Sequence, residues 1–584
     1  MDRTAWVAVI LCVIGLVVWE GWTLRQSTPK PSTVSRQPAE VSSTPAPLTS
    51  GIAAPTASAS PIAASPPVAS SATAAPTPAI AAFAEQIEKV RNADLELHVT
   101  NRGGGIVEAV LLKHKAEHGG SVTLNSPQHL PIGAMVEDPV APLLPKYELT
   151  RDADAINARY TTPENVTIRK KFFFPKPANT EDNYIVELDV DLANDGAKPY
   201  ANPGYFVGLG SVASIHANDY PAPRLVWCID GKAKGIDVGW FAASSGFLGM
   251  GPRPARPVYQ ENMASAEWAA ASNQFFTTLV APLTTKANAV WGRRIEVELS
   301  PGLKVGAIEG AMGMPGFQLQ PGQTASVRYQ MWIGPKLYNR LAQLGHDEAE
   351  VMEFGMLKLV CQALLNALNT LHGFLGNYAG AILALTVIIK LLLWPLQNKA
   401  NRSARQMAAL GPKIQELRDK YKDDPTKMNQ EVMKMYKEYG INPVGGCLPM
   451  VIQIPIFFGL FTMLRQAVEL RNAHFLWIRD LSQPDTVAHI ALLGWSIPIN
   501  VLPILMALTN VWMMRLTPKS GDPTQQRMMM FMPIIFVVFC YNFAAALALY
   551  YTTQNLLTIL QLYINRRQPI PKLEKVAPAG KRKR

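Results

Sequence analysis

Beyond residue 375 the chain is built from apolar runs of bilayer length, Tyr378–Leu396, Val444–Leu464, Trp495–Met514 and Met528–Ile564, set between basic segments. About 20 apolar residues cross the ~30 Å hydrocarbon core as a helix, so these runs read as membrane spans. The last is too long for one. Arg527 and Arg566 bracket 38 residues, about 57 Å of helix, and two short spans with a turn near Asn542-Phe543-Ala544 fit better. Segment 398–442 carries ten Lys/Arg against six Asp/Glu, whereas 466–494 holds only Arg471 and Arg479 against three acids. The 515–527 loop has Arg515, Lys519 and Arg527, and the tail from Arg566 has eight Lys/Arg against Glu574. By the positive-inside rule those three basic segments are cytoplasmic and 466–494 is outside. Five core spans follow, at 376–397, 443–465, 495–514, 528–541 and 547–564, and everything between the first anchor and residue 376 lies outside. Charged residues are 17% of the whole, below the ~25% of soluble proteins, which excludes a plain cytosolic enzyme. Five cysteines without CxxC spacing imply neither a disulfide framework nor a zinc site.

The N-terminal run Thr4–Trp19 is followed by Glu20-Gly21-Trp22. Lacking small residues at a cleavage site, segment 1–25 reads as an uncleaved signal anchor rather than a removed signal peptide, with the N-terminus cytoplasmic. Residues 26–84 are mostly Ala, Pro, Ser and Thr and form a tether, since they cannot bury enough apolar surface to offset ordering entropy. From 85 to 340 the texture changes to short alternating segments such as Leu95–Thr100 and Tyr184–Leu192, broken by Gly, Pro and Asn. That pattern predicts a large all-β sandwich or barrel. Segment 347–375 has helical period through Phe354, Leu357, Cys361, Leu364, Leu368, Leu371 and Leu375. It predicts an amphipathic helix, either flat in the membrane interface or packed on the β domain. The charged segment 398–442 predicts a helical hairpin broken at Asp423-Asp424-Pro425.

No hydrolytic, nucleotide-binding or redox constellation is present, so no catalytic residue, metal or cofactor is expected. Polar chemistry sits in the spans instead. Lys390 interrupts Thr386–Trp394, where a charge costs ~2.5–3.5 kcal/mol at the bilayer centre. It either faces a polar groove, shared with Thr386 one turn away, or snorkels to the headgroups. Tyr550, Gln554, Thr558 and Gln561 form a polar stripe on the last span, and Gln453 adds a further polar group to the span 443–465. Such stripes glue helices together or line a hydrated cavity.

Asn442–Phe458 (NPVGGCLPMVIQIPIFF), Asp522–Arg527 with Phe531-Met532-Pro533, and Tyr550-Tyr551 resemble segments of the YidC/Alb3 membrane-protein insertase family. The resemblance runs from about 350 to 567 and extends more weakly to Asn101-Arg102-Gly103-Gly104 and the anchor, the arrangement of the Gram-negative type. It implies a polytopic α-helical membrane protein, one anchor plus a five-span core around a hydrophilic groove, with a large periplasmic β-supersandwich. It implies an inner-membrane insertase and chaperone acting alone or with the Sec translocon, whose accessory subunits the β domain meets. Nascent membrane proteins are the implied substrates. The implied groove residues are Lys390, Thr386, Gln453, Gln554 and Thr558, and the implied substrate contacts Ile454, Pro455, Ile535, Phe539, Tyr550 and Tyr551. Lys390 stands where family members carry Arg, keeping the charge but losing the bidentate fork. Ala544-Ala545-Ala546 replaces the family's Pro-Ser-Gly-like turn. The basic tail 565–584, with Arg566, Arg567, Lys581, Arg582, Lys583 and Arg584, suits either ribosomal RNA or anionic lipid, and the hairpin also offers a ribosome contact. A secondary transporter with a midplane ionisable site is the alternative, and a sugar-binding β domain a third reading on fold analogy alone.

Overall fold

The computed structural model describes residues 83–567, apart from 118, 177–182, 217–218, 245–251, 423, 442–447, 493–494, 518–536 and 539. The expected anchor 1–25, nearly all of the tether, most of the 515–527 loop and of the 528–541 span, and the tail beyond Arg567 lie outside the described residues. So do Ile535, Phe539, Lys581, Arg582, Lys583 and Arg584.

Strands from Ile87 to Pro335 form a nine-stranded, a five-stranded and a four-stranded sheet, all with antiparallel pairing. The alternation at Tyr184–Leu192 lies on the strand Ile185–Asn194, whose side chains point alternately into and away from the core. Where the two larger sheets meet, Gly292 and Gly310 lack the Cβ atoms that would fall 2.9 and 2.8 Å from the Leu225 methyl groups. The backbones can therefore approach, and Leu225 and Trp227 are wholly buried between the layers.

Lys170, on strand Val166–Phe173, points inward and is 1% exposed. Its Nζ donates to the carbonyls of Gly103, Gly104 and Gly133 at 2.9, 3.1 and 3.1 Å and lies 4.8 Å from the Tyr147 ring centroid. Gly103 and Gly104 have φ of 78° and 54°, left-handed backbone that places two carbonyls inward at little steric cost. The Asn101–Gly104 turn is thus a lysine cradle. Burial pushes the Lys170 ammonium down to about 7.

His114 is near the end of the strand Gly105–Lys115 of the four-stranded sheet, its Nε2 3.2 Å from Tyr184 Oη and its ring edge-on to Phe276. Burial, then the Arg471 charge, pushes it down to about 4. Its folded pKa falls below the unfolded ~6.5, so the unfolded chain binds the extra proton. Stability should be lost as pH falls from about 6.5 to 4, by on the order of 2 kcal/mol after allowing for partial exposure. Thermal melting followed by near-ultraviolet circular dichroism should show this loss between pH 7 and 4.5, with a flatter profile in His114→Phe. Equal slopes in both proteins would remove His114 from the account.

Among the described residues a one-turn helix, Tyr338–Leu341, is followed by seven longer ones: α1 (Lys358–Leu375), α2 (Tyr378–Ala409), α3 (Gly411–Lys420), α4 (Pro425–Glu438), α5 (Leu448–Gln466), α6 (Val501–Leu516) and α7 (Ala545–Arg566). Three expectations need correction. The 347–375 helix starts only at Lys358. Asp347, Glu353 and Gly355 take φ of 58°, 47° and 58°, leaving two 3-10 turns at Glu348–Met352 and Gly355–Leu357. Glu353 is held there by Arg224 at 2.9 Å. The rest, α1, packs on α2 and α5 rather than on the sheets, with Cys361 and Leu365 buried and Leu359 and Phe374 exposed. Gly459 on α5 permits this, since a Cβ there would meet Val360 at 2.8 Å.

The second correction concerns 495–514. Trp495–Asn500 is a strand paired with Thr486–Leu492, and the helix begins at Val501. Apolar content alone does not separate strand from helix in so short a run. The helix expected over 376–397 also runs on, as α2, to Ala409 despite Pro395. The 398–442 hairpin therefore consists of the end of α2 followed by α3 and α4, which enclose a small core of Leu410, Ile414, Met435 and Ile441. Among the described residues α2 is the one helix long and apolar enough by itself to cross a membrane, and α6 is a shorter apolar helix.

The β domain is docked on the helices. Lys336 Nζ donates to Gln466 Oε1 at 3.1 Å, Gln274 Nε2 to the Arg465 carbonyl at 2.7 Å, and Arg471 Nη2 to the Lys115 carbonyl at 3.1 Å. The Arg465 guanidinium stacks 3.6 Å from the Tyr220 ring centroid. The same connecting segment explains how three alanines can start α7. Ala544 offers no side-chain cap, but Ala545 and Ala546 N–H donate to the Gln483 and Leu481 carbonyls at 2.8 and 2.9 Å.

Candidate functional site

The site lies along the contact of α2 and α7. Lys390 is 1% exposed although it sits in the one described helix long and apolar enough by itself to cross a membrane. Its Nζ donates to Gln397 Oε1 on α2 at 2.5 Å and to Thr558 Oγ1 on α7 at 2.9 Å. No carboxylate lies within ion-pair distance of it among the described residues. It thus reaches across the helix interface to α7. Thr386, one turn away, is buried and returns its hydroxyl to the Ile382 carbonyl at 2.6 Å, so it shares the face without touching Lys390 through a hydrogen bond.

On α7 the four-residue spacing does its geometric work. Thr558 donates its own hydroxyl to the Gln554 carbonyl at 2.7 Å, which aims its lone pairs at Lys390. Gln554 and Gln561 flank Thr558 by about one turn on either side, both buried, and the side-chain oxygen of each has no donor among the described residues. Gln561 Nε2 and Asn565 Nδ2 both donate to Asn398 Oδ1, at 2.8 and 3.1 Å, and Arg405 Nη1 donates to the Asn565 carbonyl at 2.8 Å. At the other end Gln453 Nε2 approaches Tyr550 Oη at 3.4 Å. A polar ladder therefore runs from Tyr550 to Asn565, about 22 Å along α7, with the Lys390 cation, unpaired by any described carboxylate, near its middle.

The structure brings together Lys390 and Thr558 directly, with Gln554 beside them and Gln453 and Tyr550 at one end. Ile454 and Pro455 are exposed on α5, away from that buried line. Tyr551 is half-buried, its ring 5.4 Å from Phe457 and 5.1 Å from Tyr550. Arg566 and Arg567 end α7, both exposed. Gln397, Asn398, Arg405 and Asn565 were missed. They fall seven, eight and fifteen residues beyond Lys390 on α2, and at the end of α7. The same helical period finds Asn398 and Arg405 once α2 continues past 397 and Asn565 once α7 continues past 564, while Gln397, inside the expected span, lies two turns from Lys390 on the same face.

Comparison with known proteins follows the same division of the chain. Residues 88–367 match the family model described as the YidC periplasmic domain, and residues 370–572 match that of the 60Kd inner membrane protein. A membrane protein insertase YidC from Pelobacter propionicus is 31% identical over 413 residues, 70% of this chain and 70% of the relative. One from Nitratidesulfovibrio vulgaris is 33% identical over 393 residues, 65% of this chain and 66% of the relative. Another, from Syntrophobacter fumaroxidans, is 38% identical over 305 residues, covering 51% and 53%. The matched stretches thus span between about half and 70% of these relatives' lengths. With both parts matched in order, and with a large β domain standing on a helical membrane core, the chain belongs to the YidC family of inner-membrane insertase proteins.

Proposed function

We propose that this protein is a membrane-protein insertase and chaperone. In this reading α2, α5, α6 and α7 belong to a five-span core, and the polar line around Lys390 belongs to a hydrophilic groove that receives a polar segment of the substrate. The observation that carries it is the set of Lys390, Gln554 and Gln561, buried in apolar helices with an unneutralised charge and two side-chain oxygens lacking donors among the described residues. Helix-gluing polar residues satisfy one another, whereas a groove leaves groups for water or an incoming chain. A polar tail entering such a groove loses less hydration than in lipid, and transfer of the adjoining apolar span into the bilayer supplies the driving force.

Lys390 attracts acidic residues of that tail, while Tyr550, Tyr551, Ile454, Pro455, Ile535 and Phe539 offer apolar contact to the span. Both chain termini are cytoplasmic. On the outer side the β domain meets partners such as the Sec translocon and its accessory subunits. The basic tail, with Arg566, Arg567 and Lys581–Arg584, meets ribosomal RNA, with anionic lipid as the competing partner.

Purified protein reconstituted in liposomes, given a small single-span substrate and no energy source, should insert it. Solute flux without insertion would instead favour a transporter with a midplane ionisable site. A truncation of 568–584 should weaken ribosome co-sedimentation at low salt and lessen its dependence on salt, with insertion of pre-synthesised substrate unchanged. Unaltered ribosome binding would assign the tail to lipid.

A further inference from the structure

Between α5 and α6 the chain extends a two-stranded ribbon, Thr486–Leu492 paired with Trp495–Asn500. Its root is fixed. Asn500 is fully buried, its Nδ2 donates to the Tyr541 carbonyl at 2.7 Å, and its Oδ1 accepts from Thr486 Oγ1 at 2.7 Å. Tyr541 Oη in turn donates to the Pro498 carbonyl at 2.8 Å. Away from that root every residue from Thr486 to Ala491 is exposed, as are Ser496 and Ile497. A free two-stranded ribbon is at best marginally stable in water, so this one needs a surface to lie on.

The register states what kind of surface. Ile490 faces Ile497 and Ala488 faces Ile499, and strand alternation puts these four on one side. On the other side His489 faces Pro498 and Ala491 faces Ser496. One side is wholly aliphatic, and the other is mixed, with His489 and Ser496 beside Val487 and Ala491. Residues 486–500 contain no Asp, Glu, Lys or Arg, so nothing offers charge complementarity to a protein partner and nothing opposes entry into an apolar interface. At its root the ribbon runs directly into α6, which exposes Ile504, Leu508, Val511 and Trp512. The ribbon thus joins an apolar surface that, in the reading above, faces lipid. Its outer edges still carry backbone groups that no strand pairs among the described residues, which keeps it at headgroup depth rather than in hydrocarbon.

The geometry points to the 486–500 ribbon as an interfacial anchor, lying on the outer leaflet with Ile490 and Ile497 in the acyl–headgroup boundary and His489 and Ser496 toward water. Its partner is the lipid surface. Over about 20 Å it holds the outer end of α6 at a fixed depth, where the short helix would otherwise be free to sink. This rests on α6 crossing the bilayer, and the test separates the two claims.

An environment-sensitive fluorescent amino acid is placed, one site at a time, at Ile490, Ile497, His489 or Leu508 of the full chain in phosphatidylcholine vesicles. Phospholipids spin-labelled near the headgroup should quench the probe at 490 and 497, with blue-shifted emission and little loss to iodide. At 489 iodide should quench more than lipid. At Leu508 lipids labelled deep in the acyl chain should quench. Iodide quenching at 490 and 497 with lipid quenching at 508 overturns the anchor while leaving the span intact. Shielding of 490 and 497 from both quenchers means that protein, such as a second copy pairing at the ribbon edge, covers the face, and also overturns it. Absence of lipid quenching at 508 as well removes the spanning reading and the anchor together.

Discussion

Lys390→Met is expected to slow insertion of acidic-tailed substrates about tenfold or more, since one charge–charge attraction is worth ~1–4 kcal/mol between bulk-water and surface dielectrics. The same substitution should leave the melting temperature unchanged or raise it. Among the described residues Lys390 is buried with two partners, both neutral, Gln397 and Thr558, so its charge is a cost to the fold, and an apolar side chain of similar length removes that cost. Lys390→Arg should keep most of the activity, because what is asked of the residue is charge at this depth. Opposite movement of stability and activity is the signature of a group kept for function. If Lys390→Met unfolds the protein, or inserts all substrates at the wild-type rate, the residue is structural glue between α2 and α7.

Lys170→Met should destabilise the β domain by about 3 kcal/mol or more, by leaving the carbonyls of Gly103, Gly104 and Gly133 buried without their donor. For a domain of this size that is a fall of roughly 6–12 °C in melting temperature. The contrast with Lys390 is instructive, since both are buried lysines without acid partners. Lys170 satisfies three backbone acceptors that have nowhere else to turn, while Lys390 satisfies two side chains that can reorient. The pH dependence carries a definite sign. The Lys170 pKa is about 7 in the fold and ~10.4 in the unfolded chain, so the unfolded chain binds more protons across that window. The wild type should therefore gain stability relative to Lys170→Met as pH rises from 7 to 9. A parallel pair of stability curves would show that the buried ammonium keeps its ordinary proton affinity.

How much of this was legible in the sequence depended on whether the deciding interaction was local. The alternation at Leu95–Thr100 and Tyr184–Leu192 marks strands because a half-buried sheet imposes period two. The four-residue spacing of Tyr550, Gln554 and Thr558 put them on one face because α7 is a regular helix. What the sequence withheld were long-range choices. Nothing in Trp495–Asn500 says strand until Thr486–Leu492 pairs with it. The start of α1 at Lys358 depends on Glu353 meeting Arg224, 129 positions away. Three alanines look like a poor helix start until the Gln483 and Leu481 carbonyls are seen over them. The cradle around Lys170 was invisible as well, because a lysine in an alternating strand reads as an outward-facing charge.

The central claim is that the charge at position 390 meets the polar tail of the substrate inside the membrane, and a charge exchange tests it most directly. Insertion rates are measured in liposomes for wild type and Lys390→Glu, each with a substrate bearing an acidic tail and with the same substrate bearing a lysine tail. The account predicts a crossover, with Lys390→Glu slow on the acidic tail and restored, at least in part, on the basic one. Wild type should show the reverse order, and both differences should persist at high salt because the contact is buried from screening ions. Identical tail preferences in the two proteins would contradict it.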